Sequence, residues 1–169
     1  MSRSAPKLDM QVQYAASAAG IPRSRKLRRW ARAALADDAK VTLRIVDRRE
    51  ARRLNREFRG RDYATNVLTF VYGERRPLEG DIVLCAPVVR AEAGRRHGRL
   101  EAHYAHLVVH GMLHLQGFDH ERARQAQFME LLESEIVTRL GYPDPYVAHA
   151  QAPVTGQARP PNLRNGTSP

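Results

Sequence analysis

The sequence predicts an α/β or α+β domain: a single sheet of about four strands packed by about five helices, with a metal site at the end of a long helix. Three observations predict this class. Short segments with the period of a strand are interspersed with longer segments of helical period. The length of 169 residues suits one ordinary domain, and 43% hydrophobic residues are enough to form a core. A cluster of histidines lies on a long helical segment.

The strand predictions depend on alternation and on short apolar runs. Residues 41–45 alternate Val, Leu and Ile with Thr and Arg, which is typical of a half-buried strand. Residues 82–85 are all apolar and indicate a more deeply buried strand, whereas residues 8–14 alternate only in part. Four strands are therefore predicted, at residues 8–14, 41–45, 66–71 and 81–85.

The helix predictions depend on apolar residues spaced three and four apart and on helix boundary residues. Pro22 opens the first helix. Asp47 and Glu50 resemble a capping box before the second helix, which is expected to place Phe58 on its inner face and to end at Gly60. Five helices are predicted, at about residues 22–35, 48–59, 87–97, 99–116 and 122–140.

Composition divides the chain into a domain, residues 1–145, and a proline-rich tail, residues 146–169. The tail has few apolar residues to bury, so we expect it to be disordered. No run approaches the roughly 18 apolar residues that a membrane span needs, and residues 1–10 lack the apolar region of a secretory signal. We therefore do not expect the protein to associate with a membrane.

The single cysteine, Cys85, excludes an internal disulfide and fits a reducing cytosol. It lies in an apolar run, so we interpret it as a small core residue rather than a nucleophile. The sequence therefore predicts a cytoplasmic protein.

The positive charge is concentrated in one quarter of the chain. Residues 21–61 hold 15 Lys and Arg against 5 Asp and Glu, a local net charge of +10, and the rest of the chain sums to zero. Such a concentration would attract a polyanion and speed its association. An arginine-rich solvated surface with no partner is an equally good interpretation of the charge alone.

A histidine motif carries the predicted chemistry. His110 and His114 are four apart and therefore lie on one face of a helix. Gly117 can end that helix and reverse the chain, which lets His120 return to the same cation. Three imidazoles bound to one cation through metal–nitrogen bonds of about 2.0–2.1 Å leave its fourth coordination position for water, as in a catalytic zinc site. The alternative, three isolated histidines within a packed helix, explains neither the spacing nor the glycine.

Neighbouring residues leave alternatives open. His103 and His106 lie near the same helical stripe and could support the metal site or contact substrate, or could be ordinary surface histidines. Asp119 could orient an imidazole or cap the next helix. The spacing of the motif is that of the metzincin proteases, but those enzymes carry a Glu after the first His as general base, and this chain has Gly111. Peptidase activity is therefore not expected.

The chain resembles the YbeY family of bacterial endoribonucleases, described as rRNA maturation factors. The resemblance depends on the pattern His-Gly-x-Leu-His-Leu-x-Gly-[Tyr/Phe]-Asp-His, which residues 110–120 match. It is supported by Leu-Asn-Arg-Glu-Phe-Arg-Gly-Arg-Asp at 54–62, by Thr-Asn-Val-Leu-Thr-Phe at 65–70 and by Gly-Asp-Ile-Val-Leu at 80–84. Within the second of these, Asn66 and Thr69 stand where the family often has Asp and Ser.

The resemblance implies one Zn²⁺ ion held by His110, His114 and His120, and hydrolysis of single-stranded RNA. It implies a role in ribosomal RNA maturation, at the 3′ end of the small-subunit rRNA, and in ribosome quality control. It also implies catalytic roles for Arg59 and His114. Independently, the guanidinium of Arg59 can pair bidentately with a phosphate, although a surface arginine would have the same sequence context.

Several questions are open from the sequence. The general base is unassigned: the nucleophile could be water activated by the metal or a substrate 2′-hydroxyl, and only the second route leaves a 2′,3′-cyclic phosphate. The rival function is a ribosome-assembly, RNA-binding factor whose metal is structural. The cleavage site, the use of other divalent metals, the oligomeric state and recruitment by ribosomal proteins or a ribosome-associated GTPase are all undetermined.

Overall fold

The protein is described by a computed structural model that covers residues 3–118 and 122–146. Within these ranges the four predicted strands and five predicted helices are all present, with boundaries shifted by a few residues. The elements are β1 (Leu8–Tyr14), α1 (Ser24–Ala33), β2 (Ala39–Val46), α2 (Arg48–Arg59), β3 (Val67–Val71), β4 (Leu78–Cys85), α3 (Ala86–Arg95), α4 (Leu100–Leu115) and α5 (Ala123–Arg139).

The four strands form one mixed sheet in the order β1-β2-β4-β3. Strands β1, β2 and β4 are parallel, and β3 joins the edge antiparallel to β4, with Val67 opposite Leu84 and Val71 opposite Gly80. Helices follow the parallel strands, as parallel connections require. The predicted α+β class with one sheet and five helices is therefore confirmed. None of the described helices has the length and apolarity to cross a membrane.

The two faces of the sheet are covered unequally. Successive side chains of a strand point to opposite faces. In β4, Ile82 and Leu84 belong to the main core with residues of α1 and α4, whereas Val83 and Cys85 belong to a smaller cluster beneath α2. Cys85 is 1% exposed, as expected for a small core residue. Helices α1 and α2 consequently lie on opposite faces of the sheet.

This arrangement divides the basic segment. Helix α1 carries five Lys and Arg and α2 carries six, but the sheet separates the two helices. Residues 21–61 therefore lie on both faces of the sheet, and the attraction of this segment for a polyanion stays a prediction.

Helix α4 is the central helix of the fold. It contacts α1, α3, α5 and the sheet, and ten of its sixteen residues are buried. Its close approach to the sheet requires glycine on both sides. A Cβ on Gly111 would lie 3.0 Å from Ile82, and a Cβ on Gly80 would lie 2.5 Å from a methyl group of Leu115 and 2.6 Å from the carbonyl oxygen of Phe70.

One local expectation for α2 was wrong, and another is met only in part. Phe58 is 63% exposed rather than buried, because it lies near the end of α2, outside the smaller buried cluster, and packs edge-on against Phe70. The capping box is half formed: the Asp47 side chain accepts a hydrogen bond from the Glu50 N–H at 2.9 Å, but the Glu50 carboxylate pairs with Arg44. The predicted tail lies outside the described residues except for Tyr146.

We expect Gly80→Ala to lower the free energy of unfolding by about 1–3 kcal/mol, the usual cost of overpacking a filled core. The added methyl group would collide with a backbone oxygen, which cannot rotate away as a side chain can. Gly94→Ala is the matched control. Gly94 lies on helix α3, and a Cβ added there meets no atom within 4 Å. Urea unfolding of both variants tests this. A Gly80→Ala variant as stable as wild type would contradict the described packing of α4 and β3 around Gly80.

Candidate active site

The face of α4 that carries the histidines is the starting point of the site. His103, His106, His110 and His114 follow one another at spacings of three and four residues and form a single stripe. The rings of His110 and His114 are in contact, with centroids 4.9 Å apart and planes at 70°. Both side chains are half-buried. The structure therefore brings two of the three predicted ligands together.

The end of α4 has the form that the motif requires. Gly117 has a φ of 95°, in the left-handed region that favours glycine. Its N–H donates to the His114 carbonyl at 3.0 Å, and the Phe118 N–H donates to the Leu113 carbonyl at 3.0 Å. This is a Schellman motif, which reverses the chain after a helix. The prediction that Gly117 ends the helix is confirmed, whereas the return of His120 to the same cation stays a prediction.

The third predicted ligand, His120, lies outside the described residues, as does Asp119. Within the described ranges, no group of three or more His, Cys, Asp or Glu side chains could hold a metal ion. The ligand set His110, His114 and His120 therefore stays a prediction.

Sequence reasoning missed the group that orients the first histidine. Glu133, on α5, is 1% exposed, and its carboxylate accepts from His110 Nδ1 at 2.6 Å. A proton on Nδ1 leaves the lone pair of the imidazole on Nε2, which is the tautomer that a metal ligand needs. A carboxylate bound to the far nitrogen of a ligating histidine is common in zinc sites and makes the imidazole more basic. The structure therefore supplies a support for His110 as a ligand.

The same carboxylate organises two further residues. His106 Nε2 lies 2.7 Å from the other oxygen of Glu133, and the Tyr146 hydroxyl donates to that oxygen. Burial raises the pKa of Glu133, but the hydrogen bonds from His106, His110 and Tyr146 together outweigh it and hold the pKa at about 2. Burial and the bond to Glu133 raise the pKa of Tyr146. Glu133 is thus an anion that accepts three hydrogen bonds.

The two histidines whose roles were open are not ordinary surface residues. His106 shares Glu133 with His110, so it supports the candidate metal site. His103 is 8% exposed and lies 2.9 Å from Glu92, which also accepts from the side-chain amide of Asn66 at 3.0 Å. An aspartate at position 66 could not donate this bond. The Asn66 side chain therefore fits the carboxylate that it faces.

Arg59 lies across a cleft from the histidines. Its Nη2 donates to the Thr69 carbonyl oxygen at 2.6 Å, and its guanidinium carbon lies 5.4 Å from the centre of the Phe70 ring. These contacts hold the end of an exposed side chain in place. The cleft has a volume of about 650 Å³ and is lined by Arg59 and His114, the two residues predicted to be catalytic, together with His110.

The wall on the Arg59 side is positioned by a buried polar residue. Asn55, 2% exposed, donates to the backbone carbonyl of Tyr63 at 2.8 Å and so fixes the loop that follows α2. Arg61 and Tyr63 on this loop also line the cleft. No carboxylate is among the described residues that line it. The cleft thus combines imidazoles with guanidinium groups, which suits a phosphate ester.

The position that holds the general base in metzincins is closed in this fold. Gly111 is buried, and a side chain there would be directed at Ile82 of β4. A glutamate at this position could not reach the cleft without displacing the helix from the sheet. The packing around Gly111 is a physical reason against a glutamate there, and the absence of peptidase activity stays a prediction.

Comparison with known proteins gives consistent results. Residues 16–141 match the family model described as Endoribonuclease YbeY. The chain is 57% identical over 141 residues to the Endoribonuclease YbeY of Methylobacillus flagellatus, covering 83% of this chain and 95% of that protein. It is 59% identical over 141 residues to the Endoribonuclease YbeY of Nitrosomonas europaea, covering 83% and 86%.

A solved structure shares the fold. The solution structure of TM1509 from Thermotoga maritima matches with a TM-score of 0.50 and 23% sequence identity, covering 88% of this chain and all of that one.

Proposed function

The chain belongs to the endoribonuclease YbeY family, and on that premise we propose that it is a zinc-dependent endoribonuclease specific for single-stranded RNA. We further propose that it matures ribosomal RNA at the 3′ end of the small subunit, contributes to ribosome quality control and acts in the cytoplasm. One observation carries the proposal: paired histidines supported by Glu133 lie across one cleft from a tethered arginine.

The metal that fits this donor set is a single Zn²⁺ ion, held by His110, His114 and His120. Two adjacent imidazoles and a buried carboxylate behind the first support this assignment. When bound, zinc supplies Lewis acidity and lowers the pKa of a water ligand toward about 7. The role of Glu133 is to hold His110 in the ligating tautomer.

Arg59 is proposed to stabilise the negative charge that develops on the phosphoryl group. A guanidinium carries five N–H donors, and the contact with Thr69 uses one of them. The others are available for the two oxygens of a phosphodiester. Because the bond to Thr69 holds the side chain before substrate arrives, little ordering is left for the reaction itself.

The chemical ends of the RNA products show which group acts as the nucleophile. No carboxylate is among the described residues lining the cleft, and its two histidines are proposed metal ligands, so the general base is unassigned. Attack by the substrate 2′-hydroxyl leaves a 2′,3′-cyclic phosphate, whereas attack by water leaves a linear phosphate. Mapping the product ends distinguishes the two routes.

The direct test of the function is cleavage of a purified single-stranded RNA by wild type and His114→Ala. We expect the variant to lose cleavage to background while retaining its fold and most of its RNA affinity, because the arginines of the cleft are unchanged. The control is His97→Asn, since His97 is an exposed histidine with φ of 51°, a conformation that asparagine tolerates.

Equal cleavage of the RNA by wild type and His114→Ala would contradict the proposed enzymatic function. It would favour the rival function, an RNA-binding assembly factor with a structural metal.

A further inference from the structure

The cleft does not end at the histidines. A second cavity of about 320 Å³ shares His110, Asn66 and Val67 with the first and continues on the other side of them. We call it the Arg96 branch; the residues lining it, besides those three, are Arg96, His103, His106, Leu107, Pro145 and Tyr146. The Arg96 branch extends along α4, away from Arg59 and toward the start of the helix.

The stripe on α4 forms one side of the whole groove. His114 and His110 line the first cavity, and His110, His106 and His103 line the Arg96 branch. From His103 to His114 the helix rises by about 16 Å. The groove is therefore elongated. His110 and His114 lie between the end at Arg59 and the end at Arg96.

The charge of the Arg96 branch suits a phosphate. Arg96 is exposed, follows the C-terminus of α3, and is in no ion pair among the residues that the structure describes. The two nearby carboxylates are already engaged: Glu92 accepts from His103 and Asn66, and Glu133 accepts from His106 and His110. Arg96 supplies the guanidinium among the described residues that line this part of the groove. Burial raises the pKa of the nearby Glu92, but its hydrogen bonds and the neighbouring positive charge of Arg96 outweigh burial and lower that pKa.

We propose that the Arg96 branch binds the single-stranded RNA on one side of the scissile phosphate, while Arg59 and Arg61 bind it on the other. This inference rests on the proposed function. An endonuclease cuts within a chain, so nucleotides extend in both directions from the reacting phosphate. A groove that continues past His110 provides room for both flanks, and Arg96 supplies a positive charge for the second flank.

The test measures RNA affinity as a function of salt for wild type, Arg96→Ala and Arg96→Lys. The probe is a fluorescent single-stranded RNA about 12 nucleotides long, within the site sizes of single-strand binding proteins. Every protein in this assay also carries His114→Ala, so that the probe is not cut, and a gel confirms that it stays intact. The matched control is Arg95→Ala, because Arg95 is an equally exposed neighbour that lines neither cavity.

We expect Arg96→Ala to weaken binding by a factor of about 2 to 5, as for the loss of one exposed charge contact. The slope of log affinity against log salt should fall by about 0.7, the value for one phosphate contact on a single strand. Arg96→Lys should retain the slope, and Arg95→Ala should match wild type. A dinucleotide, too short to reach both flanks, should bind wild type and Arg96→Ala equally.

The outcomes separate this inference from the proposed function. If wild type cleaves and binds the RNA but Arg96→Ala keeps the same RNA affinity and salt slope, the Arg96 branch does not bind the strand. The proposed nuclease function is unaffected by that result. An equal loss of RNA affinity in Arg95→Ala would also contradict RNA binding in the Arg96 branch, because the effect would then come from the overall positive charge of the protein. If wild type neither binds nor cleaves the RNA, both proposals fail.

Discussion

Replacing Glu133 with alanine is expected to weaken zinc binding by about 10- to 100-fold, the usual effect of removing the carboxylate behind a ligating histidine. The carboxylate now accepts from Nδ1 of His110 at 2.6 Å and so holds the lone pair on Nε2. Without it, the ring can rotate and exchange tautomers, and part of the binding free energy is spent on restoring the ligating form. Competition with a fluorescent zinc chelator measures the affinity directly.

Two further variants show whether the effect belongs to the hydrogen bonds. Glu130→Ala removes an exposed carboxylate from the same helix and should bind zinc like wild type. Glu133→Gln keeps the size of the side chain and one acceptor oxygen, so its zinc affinity should lie between those of wild type and Glu133→Ala. Circular dichroism confirms that each variant is folded. Equal zinc affinity in Glu133→Ala and Glu130→Ala would contradict the orienting role.

The second large effect is expected from Arg59→Glu. A carboxylate in place of the guanidinium would repel the phosphodiester and remove a donor to the charge that develops in the reaction, so cleavage should fall by about 100-fold or more. Zinc content should stay near wild type, because Arg59 contacts Thr69 and Phe70 rather than either described histidine ligand.

Arg56→Glu makes the same charge change on the same helix without touching the cleft, since Arg56 does not line it. Cleavage rates under single-turnover conditions, measured beside zinc content, separate the possibilities. If Arg59→Glu loses zinc, Arg59 is structural and its proposed role is wrong. If Arg56→Glu loses as much cleavage as Arg59→Glu, the effect is one of net charge rather than of this side chain.

The order of elements could be predicted because each one carries its own local signal. Alternation marked β2, an apolar run marked β4, and Gly60 and Gly117 adopt the left-handed conformations expected at helix ends. The packing of the elements could not be predicted in the same way. Nothing local to residues 21–61 indicates that α1 and α2 lie on opposite faces of the sheet, because that depends on how the strands are ordered.

The candidate site was predictable where its residues were close in sequence. His110 and His114 lie one helical turn apart, so their contact follows from helix geometry alone. Glu133 is 23 residues from His110, and a glutamate on an amphipathic helix is ordinarily solvated. One signal was available: Glu133 lies four residues from both Met129 and Val137, which are buried, and so belongs to the buried stripe of α5.

The exposure of Phe58 shows the limit of periodicity. Its spacing from Ala51 and Leu54 placed it on the inner face of α2, and the helix does bury Ala51. Phe58 nevertheless lies at the end of α2 beyond the buried cluster, where it contacts Phe70. Periodicity predicts which face of a helix is apolar but not how far the surface beneath it extends.

We propose that one zinc ion in the histidine site enables this cleft to cut RNA. The most direct measurement removes the metal with a chelator, adds zinc back in steps, and follows cleavage of a single-stranded RNA beside bound zinc. We expect cleavage to disappear with the metal and to return in proportion to bound zinc, up to one ion per chain. Cleavage that persists in the metal-free protein, or that does not return when one zinc ion is bound, would contradict this proposal.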